Sequence, residues 1–329
     1  MLRSRLFLAV VIPFLLCDAT IAQETIYMSV LSSRKHRLNV SDNPLVGLFV
    51  STDAGATWHH RGWREYVRTF YGEAASDGTV WLACGNGVMR STDGGTRWRI
   101  TTGWQITEAL KVSADPKSPS TVYAATAYGI FKTTNNGESW EQSNIGLALP
   151  FTADVLVDRS NSSHVLAATE EGLYASNDGG RVWKLSGLKG KGVRTMAQDP
   201  LNPRILMAGT EEDGVFRSDD GGKRWKQESR GLRHQTVYAI AFDPKQSSRV
   251  YIGTHDGGVY FTNDKGEHWE QRIQGMRNLV VHSLCVLPSN PNVVFAGTLN
   301  GGLYRSVDGG LNWEFNSQEE GQVWGLSVR

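Results

Sequence analysis

The sequence predicts an all-β fold, a single seven-bladed β-propeller of four-stranded antiparallel blades. Three observations lead to this prediction. One short motif occurs seven times, successive copies are 40 to 44 residues apart, and short strand-like runs flank each copy. Such a period is the length of one propeller blade. The 36 glycines and 11 tryptophans indicate many tight turns, each with an aromatic anchor.

The motif is Ser/Thr-x-Asp/Asn-x-Gly-x-x-Trp, and each position has a mechanical role. The Asp or Asn side chain can accept hydrogen bonds from nearby backbone amides, and the glycine supplies the positive φ of a tight hairpin. The tryptophan opens the next strand and buries its ring. The seven Asp or Asn residues are Asp53, Asp93, Asn135, Asp178, Asp220, Asp264 and Asp308. We interpret them as structural turn residues rather than catalytic groups.

The runs around each motif predict the other strands of a blade. Strand A ends at an Asp-Pro turn such as Asp115-Pro116, and strand B ends in threonine, as in Val122–Thr126. Strand C precedes the motif, and strand D opens at its tryptophan. Short apolar or alternating runs separated by Gly, Asp and Pro are typical of strands joined by hairpins.

The two ends of the chain predict how the ring closes. The first run, which begins Thr25-Ile26-Tyr27, matches strand B, so the first blade lacks its own strand A. The last motif is followed by residues 322–328, which alternate like a strand A. We expect this C-terminal strand to complete the first blade, because closure removes the exposed sheet edges that favour aggregation.

Residues 1–22 predict a secretory signal peptide, which leaves 23–329 as the propeller. Two arginines precede the apolar run Leu6–Leu16, and Thr20-Ile21-Ala22 supplies small residues for cleavage. This run is shorter than the roughly 20 residues of a spanning helix, so no membrane span is expected after cleavage. We expect a periplasmic or extracellular protein, with lipoprotein anchoring through Cys17 as the alternative.

Composition and motifs exclude several classes of function. The 34 Lys and Arg residues against 33 Asp and Glu give a net charge of +1, which does not favour nucleic-acid binding. We recognise neither the Cys/His spacing of a metal site, nor a Gly-rich phosphate loop, nor a Gly-x-Ser-x-Gly elbow. We therefore expect no cofactor and no metal, a monomer, and two buried, unreactive thiols at Cys84 and Cys285.

The B–C and D–A loops, opposite the motif turns, should surround the mouth of the central channel. Loops held by a rigid ring commonly carry binding function. One sector of this face is basic and aromatic, and the opposite sector is acidic. The predicted partner-binding residues are Arg34, Lys35, Arg37, Arg61, Trp63, Arg64, Trp104, Tyr128, Glu211, Asp213, Arg233, His234, His255 and Asp256.

The seven motifs resemble the Asp boxes of the Asp-box (BNR) repeat propellers, over nearly all of the chain after residue 22. The sequence is most similar to exported propellers like the photosystem II stability and assembly factors. That resemblance implies binding of a partner protein. Sialidases, xyloglucan-degrading hydrolases and sortilin-type receptors share the box, so the motif predicts the fold more strongly than the function. The early Arg-Ile-Pro-type tripeptide of sialidases does not occur here, and the seven repeats all serve one ring.

Three interpretations of the loop face remain open. A basic and aromatic patch could bind an acidic segment of a protein, since Arg and Trp are strong anchors. Tryptophans could instead stack on sugars while a carboxylate pair hydrolyses a glycosidic bond. The charges could also be solvated loop residues only. We favour the first, an exported non-catalytic propeller that acts as an assembly or maturation factor for an envelope or membrane complex.

Overall fold

A computed structural model describes residues 24–34, 45–63 and 67–329 of the protein. Its regular elements in these ranges are all strands, arranged as seven four-stranded antiparallel sheets. The predicted seven-bladed propeller is therefore confirmed. Within the described ranges, no helix has the length and apolar character needed to cross a membrane.

The strands are numbered in chain order. The first fourteen are β1 Ile26–Ser33, β2 Gly47–Ser51, β3 His59–His60, β4 Thr69–Ala74, β5 Val80–Cys84, β6 Gly87–Ser91, β7 Arg99–Ile100, β8 Ala109–Asp115, β9 Ser118–Thr126, β10 Gly129–Thr133, β11 Glu141–Gln142, β12 Thr152–Val157, β13 Val165–Thr169 and β14 Gly172–Ser176. The others are β15 Lys184–Gly187, β16 Val193–Gln198, β17 Leu206–Thr210, β18 Val215–Ser218, β19 Lys226–Gln227, β20 Val237–Asp243, β21 Gln246–Thr254, β22 Gly258–Thr262, β23 Glu270–Gln271, β24 Val281–Val286, β25 Val294–Thr298, β26 Gly302–Ser306, β27 Glu314–Ser317 and β28 Gly321–Val328. Blade 1 has the order β28-β1-β2-β3, and blades 2 to 7 take four consecutive strands each, from β4–β7 to β24–β27.

The C-terminal strand closes the ring as predicted. Strand β28 pairs antiparallel with β1, with Leu326 opposite Met28. Thr25 and Arg329 complete the pairing with two backbone hydrogen bonds of 2.8 and 3.0 Å. Strand β28 also lies against β4 and β24, so the innermost strands A form a continuous ring around the channel. Blade 1 therefore combines both ends of the described chain.

The Asp-box turns have one shared hydrogen-bond pattern. In blade 5, Ser218 Oγ accepts a bond from Gly222 N at 2.9 Å and donates one to Asp220 Oδ1 at 2.9 Å. In blade 3, Asn135 Oδ1 accepts the equivalent bond from Thr133 Oγ1 at 2.9 Å. A neutral amide thus replaces the carboxylate in one box. The turn requires an acceptor oxygen rather than a charge, which agrees with a structural role.

The box tryptophans connect neighbouring blades. The indole N–H of Trp183 donates to the carbonyl of Ser143 in the preceding blade at 2.7 Å, and that of Trp269 donates to Glu228 O at 2.8 Å. Across the closure, Trp58 of blade 1 donates to Asn316 Oδ1 of blade 7 at 2.8 Å. Each ring is thereby fixed between two sheets.

Polar side chains also link adjacent strands A along the channel wall. They bond the backbone of the next strand A at five blade interfaces: Glu73 Oε1 with Ala114 N, Ser113 Oγ with Val157 N, Asp154 Oδ2 with Met196 N, Ser283 Oγ with Val323 O, and Ser327 Oγ with Gly72 O. The distances are 2.6 to 3.2 Å. The channel is therefore lined by groups that stabilise the ring itself.

Cys84 and Cys285 are both buried and free. Burial raises the pKa of each thiol to about 12, because the thiolate is poorly solvated inside the sheet. The predicted buried thiols are confirmed.

Candidate functional site

Every strand A carries a β-bulge at its second to fourth residue. At each bulge one residue has no partner in the ladder with strand B, and a bulge of this kind redirects a side chain. The seven bulged residues are Phe70, Leu110, Ala153, Arg194, Tyr238, His282 and Trp324. All seven line one cavity of about 370 Å³, which we call the channel mouth. Its wall is thus built by the same local deformation in every blade.

The channel mouth opens on the face of the B–C and D–A loops, because strand A begins there. A second cavity of about 550 Å³ continues through the ring toward the Asp-box face. It is lined there by the prolines of four A–B turns, Pro116, Pro200, Pro244 and Pro288. The two cavities share lining residues, so they adjoin each other along the axis of the ring.

Blades 6, 7, 1 and 2 form an aromatic wall. The His282 ring stacks on Trp324 at 4.2 Å and on Tyr238 at 4.6 Å, and Phe70 meets Trp324 edge-on at 5.9 Å. His255, from the B–C loop of blade 6, meets Tyr238 edge-on at 6.0 Å. Burial lowers the pKa of His282 to about 4, so its imidazole is neutral at physiological pH.

The opposite sector of the mouth is charged. The Arg194 guanidinium bonds the Glu211 carboxylate and lies 3.8 Å from Glu170 Oε1. It also lies 5.9 Å from the centroid of the Phe151 ring. Two carboxylates and an aromatic ring thus surround one cation. Ala153, the smallest of the seven bulged residues, lines the same cavity.

A second charged group lies deeper in the channel. Lys111 Nζ lies 3.6 Å from the Tyr71 ring centroid and 4.0 Å from Asp154 Oδ1. Burial raises the pKa of Glu73 to about 7 and also raises the pKa of Asp154. Lys111 opposes both shifts, because its ammonium favours the ionised carboxylates.

One of the sequence-predicted residues, Glu211, lines the mouth, and two more, His255 and Asp256, lie next to a lining residue or to each other. Glu211 lines the cavity and pairs with Arg194. His255 contacts Tyr238 and lies 3.1 Å from Asp256. All three come from the B–C loops of blades 5 and 6, next to the aromatic wall.

Other predicted residues are not part of the cavity lining. Trp104 is 85% exposed in the D–A loop of blade 2, and Tyr128 is exposed in the B–C loop of blade 3. Trp63 is half-buried against the core shared by blades 1 and 2. Arg61 lies at a blade interface, where its carbonyl accepts the Trp98 indole N–H at 2.6 Å.

The remaining predicted residues are spread over the same face. Asp213 pairs with Lys191 in blade 5, and Arg233 and His234 lie in the D–A loop that follows that blade. Arg34 follows β1, and its backbone N–H donates to Glu320 O at 3.3 Å. Lys35, Arg37 and Arg64 lie outside the described residues, as does the predicted signal peptide.

The seven bulged residues, Lys111 and Asp154 all line the mouth, and none of them is among the residues predicted from the sequence. A signal for them exists in the sequence. In several strands A a valine is followed by a residue that differs between blades, as in Val193-Arg194, Val237-Tyr238, Val281-His282 and Val323-Trp324. A position that varies inside an otherwise constant repeat is not required by the fold, so its side chains are candidates for a specific role.

One cluster of side chains in the described part of the chain has the residue types that bind metal ions. Ligand atoms of Asp264, Glu267 and His268 lie within 4.8 Å of one another in the Asp-box turn of blade 6. However, the Asp264 carboxylate accepts bonds from Thr262 Oγ1 and His268 N, which are the bonds of the turn itself. We therefore assign no metal to it.

The fold and the repeated turns define an Asp-box repeat β-propeller. The sequence-family model of the BNR/Asp-box repeat matches residues 49–60. The family model described as Sortilin, neurotensin receptor 3 (Sortilin-Vps10) matches residues 213–324. Both matches confirm the resemblance to Asp-box propellers. No curated protein shows a significant match.

Solved structures with similar folds include enzymes and a peptide complex. An ancestral GH74 enzyme matches with a TM-score of 0.55 and 26% identity, over 63% of this chain and 31% of its own. The GH74 xyloglucanase from Xanthomonas campestris matches with a TM-score of 0.64 and 17% identity, over 75% of this chain and 45% of its own. YCF48 bound to D1 peptide matches with a TM-score of 0.59 and 19% identity, over 79% of this chain and 93% of its own.

The present chain spans less than half of each of these two GH74 enzymes. At the identities of the xyloglucanase and YCF48, the similarity establishes the fold alone.

Proposed function

We propose that the protein binds a peptide segment of a partner protein at the channel mouth. The observation that carries this proposal is the set of seven bulges, which direct one side chain from every blade into a single cavity. A bulge interrupts the strand ladder, so seven at equivalent positions favour a functional role for the side chains they redirect.

The chemistry of the mouth supports a peptide ligand. Tyr, Trp and Arg are the residue types that anchor protein interfaces, and Tyr238, Trp324 and Arg194 all line this cavity. A volume of about 370 Å³ is at the lower end of the range for ligand pockets, enough for one or two inserted side chains. YCF48, of the same fold, has been solved with a bound D1 peptide, which supports such a use of this architecture.

The proposal includes the cellular role inferred from the sequence. Residues 1–22 favour export, so the partner would be a protein of the envelope or the exterior. A non-catalytic role in assembly or maturation of an envelope or membrane complex fits a rigid ring that presents one binding mouth. A structural neighbour that is the extracellular domain of a one component system from B. thetaiotaomicron supports this location.

A carbohydrate ligand is the second candidate. Trp104 is 85% exposed on the face of the mouth, which suits stacking on a sugar ring, and Glu73 and Asp154 supply two carboxylates in the channel. The similarity to the ancestral GH74 enzyme also favours it. Against hydrolysis, each of these carboxylates already bonds a backbone amide of the next blade.

A peptide-display selection tests the proposed function. Random twelve-residue peptides would be selected on the chain from residue 23, and binders would be compared on wild type and on Tyr238→Ala. We expect at least a ten-fold loss of affinity in the variant, because Tyr238 contributes an aromatic anchor. Tyr128→Ala is the matched control, since this tyrosine is exposed on the same face but is not a lining residue.

Peptides that bind wild type and Tyr238→Ala equally would place binding away from the mouth. Failure to recover any peptide, together with binding of xyloglucan oligosaccharides or release of reducing ends, would instead favour the carbohydrate candidate. Thermal unfolding of both variants would show that the ring is intact.

A further inference from the structure

The charged groups that line the channel cancel. Among the described residues, the two cavities are lined by three carboxylates and three cations, which are Glu73, Asp154, Glu211, Lys111, Arg159 and Arg194. The two cations of the mouth each lie beside a carboxylate of the mouth, Arg194 in direct contact and Lys111 at 4.0 Å. Just outside the lining, Arg68 and Glu170 also carry opposite charges. A charged side chain of either sign therefore gains no net attraction from the lining, while it loses hydration on entry.

The uncharged part of the mouth lining is mostly aromatic. Of its nine uncharged residues six carry rings, and these are Phe70, Tyr71, Phe151, Tyr238, His282 and Trp324. The three rings of the stack, on strands β20, β24 and β28, are only half-buried, so part of their surface remains open to the cavity. Aromatic pairs in stacked or edge-on contact gain free energy beyond that of apolar burial. Such a lining favours another ring over an aliphatic side chain of similar size.

The stacked rings also carry polar atoms without a partner. Within the described part of the chain, the Tyr238 hydroxyl, the Trp324 indole N–H and the His282 ring nitrogens make no hydrogen bond, and all of them remain accessible to solvent. A neutral imidazole offers one donor and one acceptor, a phenol offers both, and an indole offers one donor. An aliphatic occupant that covers these atoms would leave them unpaired, which costs free energy. A ring with a polar edge can instead form a hydrogen bond with one of them while it packs against the stack.

Building on the proposed function, we infer that the partner inserts an aromatic side chain with a polar edge, a tyrosine or a tryptophan, into the channel mouth. Its ring packs against the wall of Tyr238, His282 and Trp324, and its hydroxyl or indole N–H bonds a polar atom of that wall. The cavity of about 370 Å³ has room for one such side chain. The partner is therefore a protein with a tyrosine or tryptophan in an accessible segment.

Small probes test this inference by isothermal titration calorimetry at neutral pH. They are the Nα-acetyl methylamides of tryptophan, tyrosine, phenylalanine, leucine and lysine. We expect the better of the tryptophan and tyrosine probes to bind at least about five-fold more tightly than the leucine and lysine probes, with phenylalanine between them. A leucine, lysine or phenylalanine probe that binds as tightly as the better of these two would overturn the inference. Absence of binding by all the probes would overturn it as well.

Variants of the aromatic wall locate the preference. Tyr238→Leu removes one ring and should reduce the preference for the aromatic probe over leucine at least about three-fold. Tyr238→Phe keeps the ring, so it should retain more of the preference than Tyr238→Leu does. Tyr128→Leu is the matched control, exposed on the same face but outside the lining, and it should leave the preference unchanged. Equal effects of Tyr238→Leu and Tyr128→Leu would overturn the inference, and thermal unfolding shows whether each variant is folded.

The selected twelve-residue peptides separate this inference from the proposed function. If peptides bind in a Tyr238-dependent way but share no tyrosine or tryptophan, the inference fails and the proposed function survives. If no peptide binds in a Tyr238-dependent way, the proposed function itself fails.

Discussion

His282 and Trp324 stack with ring centroids 4.2 Å apart and an interplanar angle of 22°, although one belongs to blade 7 and the other to the C-terminal strand that completes blade 1. Closure of the ring therefore also completes the aromatic wall of the channel mouth. Without β28 the aromatic wall loses its central ring, and Phe70 loses its edge contact with Trp324.

Deletion of residues 322–329 should abolish cooperative unfolding. The deletion removes strand β28 with the core residues Val323 and Leu326, exposes the edge of β1, and uncovers Met28 and Phe295 of the same core. Thermal unfolding followed by far-ultraviolet circular dichroism measures the effect. As a milder change, Leu326→Ala should lower the free energy of unfolding by about 2–5 kcal/mol and keep a single transition. A truncated chain with the wild-type transition would show that closure is not required.

His282→Phe should stabilise the protein in acid. The pKa of His282 is about 4 when folded, below that of an unfolded histidine, so the unfolded state binds more protons between pH 4 and 6.5. Wild-type stability is therefore lost as pH falls through this window. At pH 5 the variant should be more stable by about 2 kcal/mol and near wild type at pH 7.5.

Chemical denaturation at the two pH values measures this difference. His59→Phe, at an exposed position in β3, controls for the loss of an imidazole. The same gain from both variants, or a gain from His282→Phe that does not change with pH, would contradict the explanation by burial.

The effect of Glu73→Gln on stability should depend on pH in the opposite sense to that of His282→Phe. The pKa of Glu73 is raised to about 7, so the folded state binds more protons than the unfolded state between pH 4.5 and 7. Wild-type stability should fall as pH rises through this window, by up to about 3 kcal/mol for this group. Glutamine should remove that slope and leave stability at pH 4.5 unchanged. Glu141→Gln, exposed in β11, is the matched control, and equal slopes in all three proteins would refute the assignment.

Ser218→Ala should destabilise the protein by about 1–3 kcal/mol, because Gly222 N would lose its buried acceptor. Ser218→Thr should be close to neutral, since Thr133 and Thr262 make the same bond in blades 3 and 6. Urea unfolding of the two variants measures the difference. An alanine variant as stable as the threonine variant would mean that the Ser218 bond contributes nothing.

The sequence alone determined the fold because each blade contains its own Asp-box turn and its own strand pattern. The Ser218–Asp220–Gly222 turn is made within five residues, and seven such turns at one period require seven sheets. The alternation in residues 322–328 also predicted closure, because a strand missing at one end of the chain was present at the other.

Only the tertiary structure decided which side chains meet at the mouth. Phe70, Arg194 and Trp324 are far apart in the chain, and each is redirected by a bulge that depends on its pairing with strand B. The sequence-based prediction selected the loops around them, because charged loop residues can be recognised in a sequence and the register of a bulge cannot. The pKa of Glu73 has the same origin: burial between two strands A raises it, and that burial exists only once blades 2 and 3 have packed together.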